Sequence, residues 1–279
     1  MAEPTAALSG HRALVTGASS GIGAALARAL ARRGADLVLT ARRANALATL
    51  AAELTAAHGV TVDVIALDLA TADGPAALWQ QATAARPVTI LINNAGFGQF
   101  RAFADVDAAR DAELIALNVA APVALAHAFV AAATATPRHY LLNVASMVAW
   151  QAIPNFATYG ASKVFVRNFS ESLHYELAPR GIGVTCLCPG GTRTEFHALA
   201  GAGDYGRLAR AAMLDADPVA ERGVRAMLAG TKTVVPGALN RLSCWLTGVL
   251  PRGLASRSAT RVMGRPRAAP LPPRKPRDS

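Results

Sequence analysis

The chain has 279 residues, of which 52% are hydrophobic and 16% charged, and its net charge is +10. This composition fits one large α/β domain or two small ones with a sizeable core, and it excludes a disordered protein. The basic excess lies at the C-terminus, where residues 252–279 carry eight basic side chains and one acid. The other 20 basic and 17 acidic residues nearly balance, so the charge does not indicate nucleic acid as a partner.

Cysteine usage and hydropathy exclude two further classes of protein. Cys186, Cys188 and Cys244 have neither the pairing of a disulfide framework nor metal-ligand spacing, and they indicate reduced, buried thiols in a cytoplasmic protein. The first residues contain no long apolar stretch, which argues against a secretory signal. Two long uncharged stretches, 114–137 and 139–162, contain Asn and Pro, so we expect a buried Ala-rich helix in the first rather than a membrane span.

The N-terminal region predicts a βαβ unit. Residues 10–16 form a short strand, followed by a glycine-rich turn, Thr16–Gly23, and an apolar-periodic helix that ends at Gly34. A second buried strand follows at Leu37–Leu39. Glycine lets the turn approach a phosphate closely, and the free amides at the start of the helix bind the anion. The turn therefore predicts a dinucleotide site.

The end of the second strand distinguishes between cofactors. An acid about twenty residues after the glycines usually holds a free ribose 2′-hydroxyl, but this chain has Arg42 and Arg43 there. Arginines suit a 2′-phosphate through charge-assisted contacts. A solvated helix N-terminus is the alternative explanation, although arginine is unfavourable at the positive end of a helix dipole. The sequence therefore predicts NADP(H) in preference to NAD(H).

The next elements continue the alternation of strands and helices. We expect helices over 44–58 and 73–86, with a strand over 62–67 between them. The apolar run Val88–Ile92 is typical of a parallel strand buried on both faces. It ends in Asn93–Gly96, whose two amides are suited to hydrogen-bond a ribose or an adjacent strand.

The second half of the chain follows the same plan. A helix from about 108 to 133 carries Asn118 at its middle, where a buried amide should interrupt the helix or bind a water. A strand over 182–188 leads into Pro189–Thr194, and a strand at 233–235 precedes a helix with an apolar stripe from Leu239 to Leu250. The pattern predicts a single-domain α/β fold, a Rossmann-like doubly wound parallel sheet of about seven strands with helices on both faces.

The predicted organisation has one catalytic domain with short extensions. The domain covers 10–240, after an N-terminal extension at 1–9, and residues 195–230 are interpreted as a lid over the substrate. An amphipathic and basic segment follows at 241–264, and a Pro- and Arg-rich tail at 265–279 is expected to be disordered.

Three polar residues form the candidate catalytic group. Tyr159 and Lys163 are four residues apart, so on a helix their side chains meet. A lysine cation favours the phenolate and lowers the tyrosine pKa toward the working pH. Ser146 follows the apolar run Tyr140–Val144 and thus lies at the strand edge where α/β sheets bind ligands. A chance Tyr/Lys pair on a helix surface is the alternative.

Taken together, these motifs resemble the classical short-chain dehydrogenases/reductases over residues 10–240, with a preference for NADP. The matching segments occur in the order of the family: TGASSGIG at 16–23, NNAG at 93–96, Asn118, Ser146, YGASK at 159–163 and PGGTRT at 189–194.

The resemblance implies a role for each matching residue. Tyr159 would exchange a proton with the reacting oxygen, Ser146 would hydrogen-bond that oxygen, Lys163 would lower the pKa of Tyr159 and hold the ribose, and Asn118 would support a water leading protons to Lys163. The resemblance assigns the cofactor to Gly17, Ser19, Gly21, Ile22, Gly23, Arg42, Asp68, Leu69, Asn94, Tyr159, Lys163, Pro189, Gly190, Thr192 and Thr194. It implies no metal.

A further likeness concerns the substrate. The segments around Ser146, Tyr159 and Pro189 resemble a subgroup that includes long-chain 3-oxoacyl reductases and hydroxysteroid dehydrogenases. This agrees with an apolar pocket, although ordinary core packing explains the same residues equally well. The candidate pocket residues are Phe97, Met147, Trp150, Ile153 and Phe156.

The sequence therefore predicts an NADPH-dependent oxidoreductase that reduces a lipophilic ketone or aldehyde, or oxidises the corresponding secondary alcohol. An NADP(H)-binding regulator without turnover is the alternative. The family is commonly dimeric or tetrameric, which implies a homodimer or homotetramer. The apolar stripe and the basic C-terminus suggest peripheral contact with an anionic membrane, whereas a lid helix or subunit contact with a solvated tail is the competing interpretation.

Overall fold

The computed structural model describes residues 7–193 and 213–250, together with Gly253. Seven parallel strands form one sheet in the order β3-β2-β1-β4-β5-β6-β7. Their bounds are β1 Arg12–Thr16, β2 Asp36–Ala41, β3 Val62–Ala66, β4 Ile90–Asn93, β5 His139–Val144, β6 Ile182–Leu187 and β7 Thr233–Val234. The predicted α/β fold with a doubly wound parallel sheet is confirmed.

Helices connect the strands and cover both faces of the sheet. In the described part of the chain they are α1 Gly21–Ala31, α2 Ala44–His58, α3 Gly74–Thr83, α4 Ala108–Ile115, α5 Ala121–Ala132, α6 Ala157–Leu177, α7 Ala216–Leu228 and α8 Ala238–Val249. The bounds of α2 agree with the prediction, while α3 ends three residues early because Arg86 and Pro87 already belong to the turn into β4.

Strand β1 shows how the sheet divides the core in two. Val15 faces a cluster built with α1 and α7, and Leu14 faces a cluster built with α3 and α5. Both side chains are fully buried, as expected for a strand with helices on both faces. The apolar runs seen in the sequence thus correspond to strands covered on each side.

Helix α7 belongs to this core. Val219, Ala220 and Val224 are fully buried in the cluster with α1. The lid predicted over 195–230 is therefore wrong for Ala216–Leu228, because this stretch packs on the sheet face rather than over the substrate side. The preceding residues of the predicted lid, up to 212, lie outside the described residues, as do the predicted N-terminal extension through residue 6 and the tail from 265.

The helix predicted over 108–133 is continuous but contains a π-helical segment, Ala116–Ala120, between α4 and α5. Asn118 lies in this segment, so the expected interruption at the buried amide is present. Among the described residues, one helix, Ala108–Ala132, is by length and composition apolar enough to cross a membrane. It packs against α3 and α6 within the domain, and 39% of its most apolar 18-residue stretch is buried, so the expected burial of this helix is partial.

Candidate active site

The predicted site residues gather at the carboxyl ends of the strands. Thr16 is the last residue of β1, Asn93 is the last of β4, and Ser146 follows β5 by two positions. β1 and β4 are neighbours in the sheet, as are β4 and β5. Parallel strands that end side by side bring these residues to one edge, where doubly wound sheets bind their ligands.

The glycine-rich turn is held by Thr16 and Asn94. The Thr16 hydroxyl accepts hydrogen bonds from the amides of Asn94 and Ala95, both at 2.9 Å. The Asn94 side-chain nitrogen donates to the carbonyls of Thr16 at 2.9 Å and Gly17 at 3.2 Å. The amide of Asn94, predicted to lie along a ribose, is thus occupied in fixing the turn.

Glycine is required at position 17 for two reasons. Its φ of +67° lies in the left-handed region, which disfavours side chains. A Cβ at Gly17 would also lie 2.8 Å from the Asn94 side-chain nitrogen and 2.9 Å from the Cα of Ala95. The strand end and the turn therefore meet too closely for any side chain.

The start of α1 fits a phosphate group. Within the described residues, Ser20 makes no side-chain cap to the first amides of α1, and the first turn contains no acid. Free N-terminal amides with the positive end of the helix dipole form an anion site. The Arg43 guanidinium lies on the same turn, 3.1 Å from the Ser19 hydroxyl and 2.8 Å from the Ser20 hydroxyl. These groups fit the phosphates of a dinucleotide.

The remaining predicted adenosine-side residues follow β2 and β3. Arg42 is half-buried directly after β2. Asp68 accepts a 3.0 Å hydrogen bond from the Ala70 amide, which orders the turn after β3. Leu69 is 5% exposed and belongs to the core cluster around Leu78, so much of its side chain is committed to packing.

The Lys163 ammonium is anchored at the end of β5. Its Nζ donates a 2.9 Å hydrogen bond to the carbonyl oxygen of Val144 and lies 5.8 Å from the centroid of the Tyr159 ring. Both residues belong to α6 and are 6% exposed. Burial lowers the pKa of Lys163 to about 8, and the nearby thiols of Cys186 and Cys188 act in the opposite direction.

Asn118 is fixed from both sides of its amide. Its Oδ1 accepts from the Phe97 amide at 3.1 Å, and its Nδ2 donates to the Phe97 carbonyl at 2.9 Å and to the Ser162 hydroxyl at 3.2 Å. A Cβ on Gly96 would lie 2.9 Å from Asn118 Oδ1 and 3.6 Å from Lys163 Nζ. Gly96 therefore borders both side chains, and a side chain at this position would crowd the Asn118 amide.

Ser146 begins a 3₁₀ turn, Met147–Trp150, and its hydroxyl accepts a 3.3 Å hydrogen bond from the Val148 amide. The hydroxyl keeps its own proton to donate, since this contact uses it as an acceptor. The Met147 amide donates to the Pro189 carbonyl at 2.9 Å. The Ser146 turn and the loop after β6 are thereby joined.

The loop after β6 is closed by two contacts. The Thr192 hydroxyl donates to the Gly190 carbonyl at 3.1 Å. Asn240 of α8 is 3% exposed and packs on Gly190, where a Cβ would lie 2.5 Å from its Nδ2. Thr194, predicted to border the nicotinamide, lies outside the described residues.

Three of the five candidate pocket residues lie beside Tyr159. Ile153 and Phe156 are buried in one apolar cluster with Tyr159, and Phe97 packs against it. The ring centroids of Phe156 and Tyr159 are 5.2 Å apart. This cluster also contains Phe100 and supplies an apolar wall next to the phenol.

The other two candidate pocket residues do not belong to this cluster. Trp150 packs against the cluster of Ala145 and Val166, and the Arg167 guanidinium lies 4.7 Å from its ring centroid. Met147 is half-buried in the turn after Ser146. The structure therefore separates Trp150 from the apolar wall around Tyr159.

Two contributors were missing from the residues assigned by the family resemblance, although the paired arginines had indicated the first of them. Arg43 contacts the glycine-rich turn, and the sequence signal was present in the paired arginines after β2. Asn240 supports the loop after β6, but an asparagine in an apolar-spaced helix gives no sign of that distant contact. Among the described residues, no group of three or more His, Cys, Asp or Glu side chains could hold a metal ion.

The chain matches known proteins in sequence. The family model described as short chain dehydrogenase matches residues 11–203. A relative from Myxococcus xanthus, named as an uncharacterized oxidoreductase, is 36% identical over 194 residues, which cover 69% of this chain and 76% of the relative.

Solved structures agree with this match. A short-chain dehydrogenase from Sphingobium yanoikuyae in complex with NADPH is 32% identical, with a TM-score of 0.75 over 87% of this chain and 97% of that one. The bulky-bulky ketone specific alcohol dehydrogenase from Comamonas testosteroni is 30% identical, with a TM-score of 0.71 over 90% and 98% of the two chains.

The fold, the strand-end site and these similarities agree with one another. The family match covers more than half of the chain and includes the glycine-rich turn and the Tyr159–Lys163 helix. This chain belongs to the short-chain dehydrogenase/reductase family and is an NAD(P)-dependent oxidoreductase that acts on alcohols or carbonyl compounds.

Proposed function

We propose that this protein reduces a lipophilic ketone or aldehyde with NADPH, or oxidises the corresponding secondary alcohol with NADP⁺. One observation carries the proposal: a buried lysine ammonium lies within 5.8 Å of the centroid of a buried tyrosine ring, at the strand edge that also presents Ser146. A cation beside a phenol in a water-poor site favours proton exchange by the phenol.

The proposed roles follow from the contacts of each side chain. Tyr159 transfers a proton to or from the reacting oxygen. Ser146 donates its hydroxyl proton to the same oxygen and polarises it. Lys163 is held by the Val144 carbonyl and keeps positive charge beside the phenol. The bound nicotinamide would supply the hydride chemistry, which protein side chains cannot provide.

Asn118 is proposed to maintain the proton path behind Lys163. Its amide is locked by Phe97 and Ser162, so its position does not depend on substrate. The space between Asn118 and Lys163 is bordered by Gly96, which has no side chain to fill it. A water there would have polar partners on two sides, which a stable buried water needs.

The preference for NADP(H) over NAD(H) is proposed from the arginines after β2. Arg43 contacts Ser19 and Ser20 of the glycine-rich turn, and Arg42 precedes it directly. An NADPH complex among the similar structures supports this preference. Arg42→Ala should lower kcat/KM for NADPH by about 10- to 100-fold, the effect of one charge-assisted contact, and leave the NADH value nearly unchanged. Arg43→Ala also removes the contacts to Ser19 and Ser20, so it should lower both values, and that for NADPH more.

Arg28→Ala provides the matched control for cofactor choice. Arg28 is on α1, but it pairs with Glu53 on the exposed surface. Its loss should not alter the ratio of NADPH to NADH activity. An equal fall with both cofactors in the Arg42 and Arg43 variants would contradict the proposed 2′-phosphate contact.

The lipophilic substrate is proposed from the apolar wall around Tyr159. Phe97, Phe100, Ile153 and Phe156 lie on or against one cluster with the phenol. The similar alcohol dehydrogenase from Comamonas testosteroni is named for bulky-bulky ketones, which supports a large apolar substrate.

A homodimer or homotetramer in the cytoplasm is also proposed. Two apolar side chains that point outward support the oligomer: Ile115 of α4 is 49% exposed and Phe165 of α6 is 40% exposed.

The test is NADPH oxidation against a panel of small polar and large apolar ketones and aldehydes. Tyr159→Phe removes only the hydroxyl and should abolish turnover while NADPH still binds. Tyr175→Phe is the matched control, because Tyr175 is on the same helix but 65% exposed. Full activity in Tyr159→Phe would refute its role, and tight NADPH binding without turnover on any carbonyl would favour the regulator.

A further inference from the structure

The apolar face of helix α8 points away from the domain, whereas the apolar face of an ordinary surface helix points toward the core. Its buried residues are small or polar, since Asn240 and Cys244 are 3% and 5% exposed. Its large apolar side chains point outward and are 41–63% exposed: Leu239, Leu242, Trp245, Leu246, Val249 and, at its C-terminal end, Leu250. A surface helix normally turns its apolar stripe toward the core, so this α8 face is suited to an external apolar partner.

The inward side of α8 already fixes the helix to the domain. Asn240 donates a 3.0 Å hydrogen bond to the Pro236 carbonyl and packs on Gly190. The helix also packs against the Met147–Trp150 turn. The outward side chains are therefore not needed to hold α8 in place, and their apolar character requires another explanation.

The charge of the sequence around α8 indicates what covers the α8 face. The sequence contains no Asp or Glu from Arg222 to Arg277, whereas it has twelve Lys and Arg residues there. Eight of these twelve follow α8 directly in the sequence, between Arg252 and Arg277. An apolar helix face with leucines and a tryptophan, continued by a basic segment, has the composition that binds anionic lipid surfaces.

A second copy of the chain is a poorer occupant. A two-fold contact through the α8 face would place the same surface of each copy against its equivalent. The two segments from 252 to 279, each with a net charge of +7, would then start close together and repel. An anionic lipid surface accepts the apolar side chains and attracts the same charges.

We propose that the α8 face docks this protein on the surface of an anionic membrane, to which the positive charge of the following sequence is attracted. The leucines and Trp245 insert at the level of the headgroups, where the amphipathic indole is favoured. The arginines after α8 bind lipid phosphates. Since α8 packs against the Met147–Trp150 turn, docking brings the Ser146 edge of the active site close to the lipid. The inference does not depend on the reaction proposed above.

The experiment is co-sedimentation of the full-length protein with vesicles. Vesicles of phosphatidylcholine mixed with phosphatidylglycerol should pellet the wild-type protein, and those of phosphatidylcholine alone should pellet much less. Trp245→Ser should weaken partitioning roughly tenfold, since one buried aromatic side chain contributes about this factor. The triple variant R252Q/R257Q/R261Q should lose the preference for anionic vesicles.

Tyr175→Ser is the matched control, because Tyr175 is 65% exposed and Trp245 63%, but Tyr175 lies on α6. It should pellet like the wild type. Wild-type protein that stays in the supernatant with anionic vesicles overturns the proposal. The same holds if Trp245→Ser pellets unchanged, or if Trp245→Ser instead converts an oligomer to monomers on size exclusion, which would assign the α8 face to a second copy.

Discussion

Lys163 Nζ donates a 2.9 Å hydrogen bond to the carbonyl oxygen of Val144, the last residue of β5. This bond joins α6, the helix that carries Tyr159, to the strand that leads to Ser146. It places the cation by a backbone group rather than by an acid, so the charge remains available to the Tyr159 phenol. One backbone carbonyl thus fixes α6 to the end of β5, 19 residues earlier in the sequence.

The first prediction concerns alkaline pH. Because burial lowers the pKa of Lys163 to about 8, the free enzyme loses this cation as pH rises through that value. We expect kcat/KM for NADPH, which reports groups of the free enzyme, to fall above about pH 8. Lys163→Ala should lower it on the order of 100-fold or more at neutral pH.

Two variants distinguish Lys163 from other titrating groups. Lys163→Arg keeps a cation at high pH, so the alkaline fall should move upward even if activity is reduced. Lys232→Ala removes a half-buried surface lysine that contacts Tyr175 at 3.1 Å and should leave the profile unchanged. An alkaline fall near pH 8 that persists in Lys163→Arg would assign it to another group.

The second prediction concerns the contact between Gly190 and Asn240. A Cβ on Gly190 would lie 2.5 Å from Asn240 Nδ2, so Gly190→Ala must displace the loop or α8. We expect Gly190→Ala to raise KM for NADPH more than tenfold, if the loop borders the nicotinamide. In the double variant Gly190→Ala/Asn240→Ala the obstructing amide is gone, and part of the affinity should return.

The control for this cycle is Gly248→Ala in the same helix, where an added Cβ meets nothing within 4 Å. It should leave KM unchanged and stabilise α8 by about 1 kcal/mol or less. If Gly190→Ala and Asn240→Ala have strictly additive effects on KM for NADPH, the two residues are not coupled.

The sheet was predictable because its strands are continuous apolar runs. Val88–Ile92 and Tyr140–Val144 each correspond closely to a buried parallel strand, and their polar ends identify the ligand edge. The ends of elements were less accurate, since a terminal residue depends on hydrogen bonds to its neighbours. Thus β4 begins at Ile90 rather than Val88.

Orientation and long-range packing could not be predicted. The stripe from Leu239 to Leu250 shows helical spacing, but spacing does not reveal which face of α8 meets the domain. That face was decided by Asn240 and its contact with a loop fifty residues earlier. Trp150 similarly lies close to Ser146 in sequence, yet it packs against Arg167 of α6, a contact between two elements that spacing along the chain does not reveal.

The third prediction concerns the ion cluster that joins α7 to α1. Glu221 pairs with Arg33, whose side chain is 6% exposed, and with Arg32 and Arg225. The hydrogen bond from Arg33 lowers the pKa of Glu221 to about 2. Glu221→Gln removes the carboxylate that binds the buried Arg33 guanidinium and two further arginines, so we expect a loss of about 2 kcal/mol in the free energy of unfolding, the size of a charge-assisted hydrogen bond.

Urea unfolding at neutral pH measures this loss, with Glu53→Gln as the control. Glu53 pairs with Arg28 on the exposed surface, and such pairs contribute less than about 1 kcal/mol. Since the folded-state pKa of Glu221 is below its ordinary value of 4.5, its contribution is complete above pH 4.5 and disappears as pH falls toward 2. Equal losses of unfolding free energy in Glu221→Gln and Glu53→Gln would contradict the larger contribution assigned to the Glu221 cluster.

The fourth prediction concerns acid sensitivity at the opposite edge of the sheet. His11 precedes β1, with its Nδ1 3.0 Å from the Thr89 hydroxyl, and His139 opens β5 at 3% exposure. Burial lowers the pKa of both imidazoles, and for His11 the charge of His139 adds to the effect. The unfolded chain therefore binds more protons than the folded one below about pH 6.5, and stability must fall as pH decreases.

Each histidine can contribute a slope of up to about 1.4 kcal/mol per pH unit. Urea unfolding of His11→Asn/His139→Gln should therefore show a weaker loss of stability between neutral and mildly acidic pH than the wild type. His58→Gln, at an exposed position, should keep the wild-type slope. If all three proteins lose stability in parallel, the acid sensitivity arises elsewhere. Because Glu221 is titrated only at much lower pH, a change confined to mildly acidic conditions identifies the histidines.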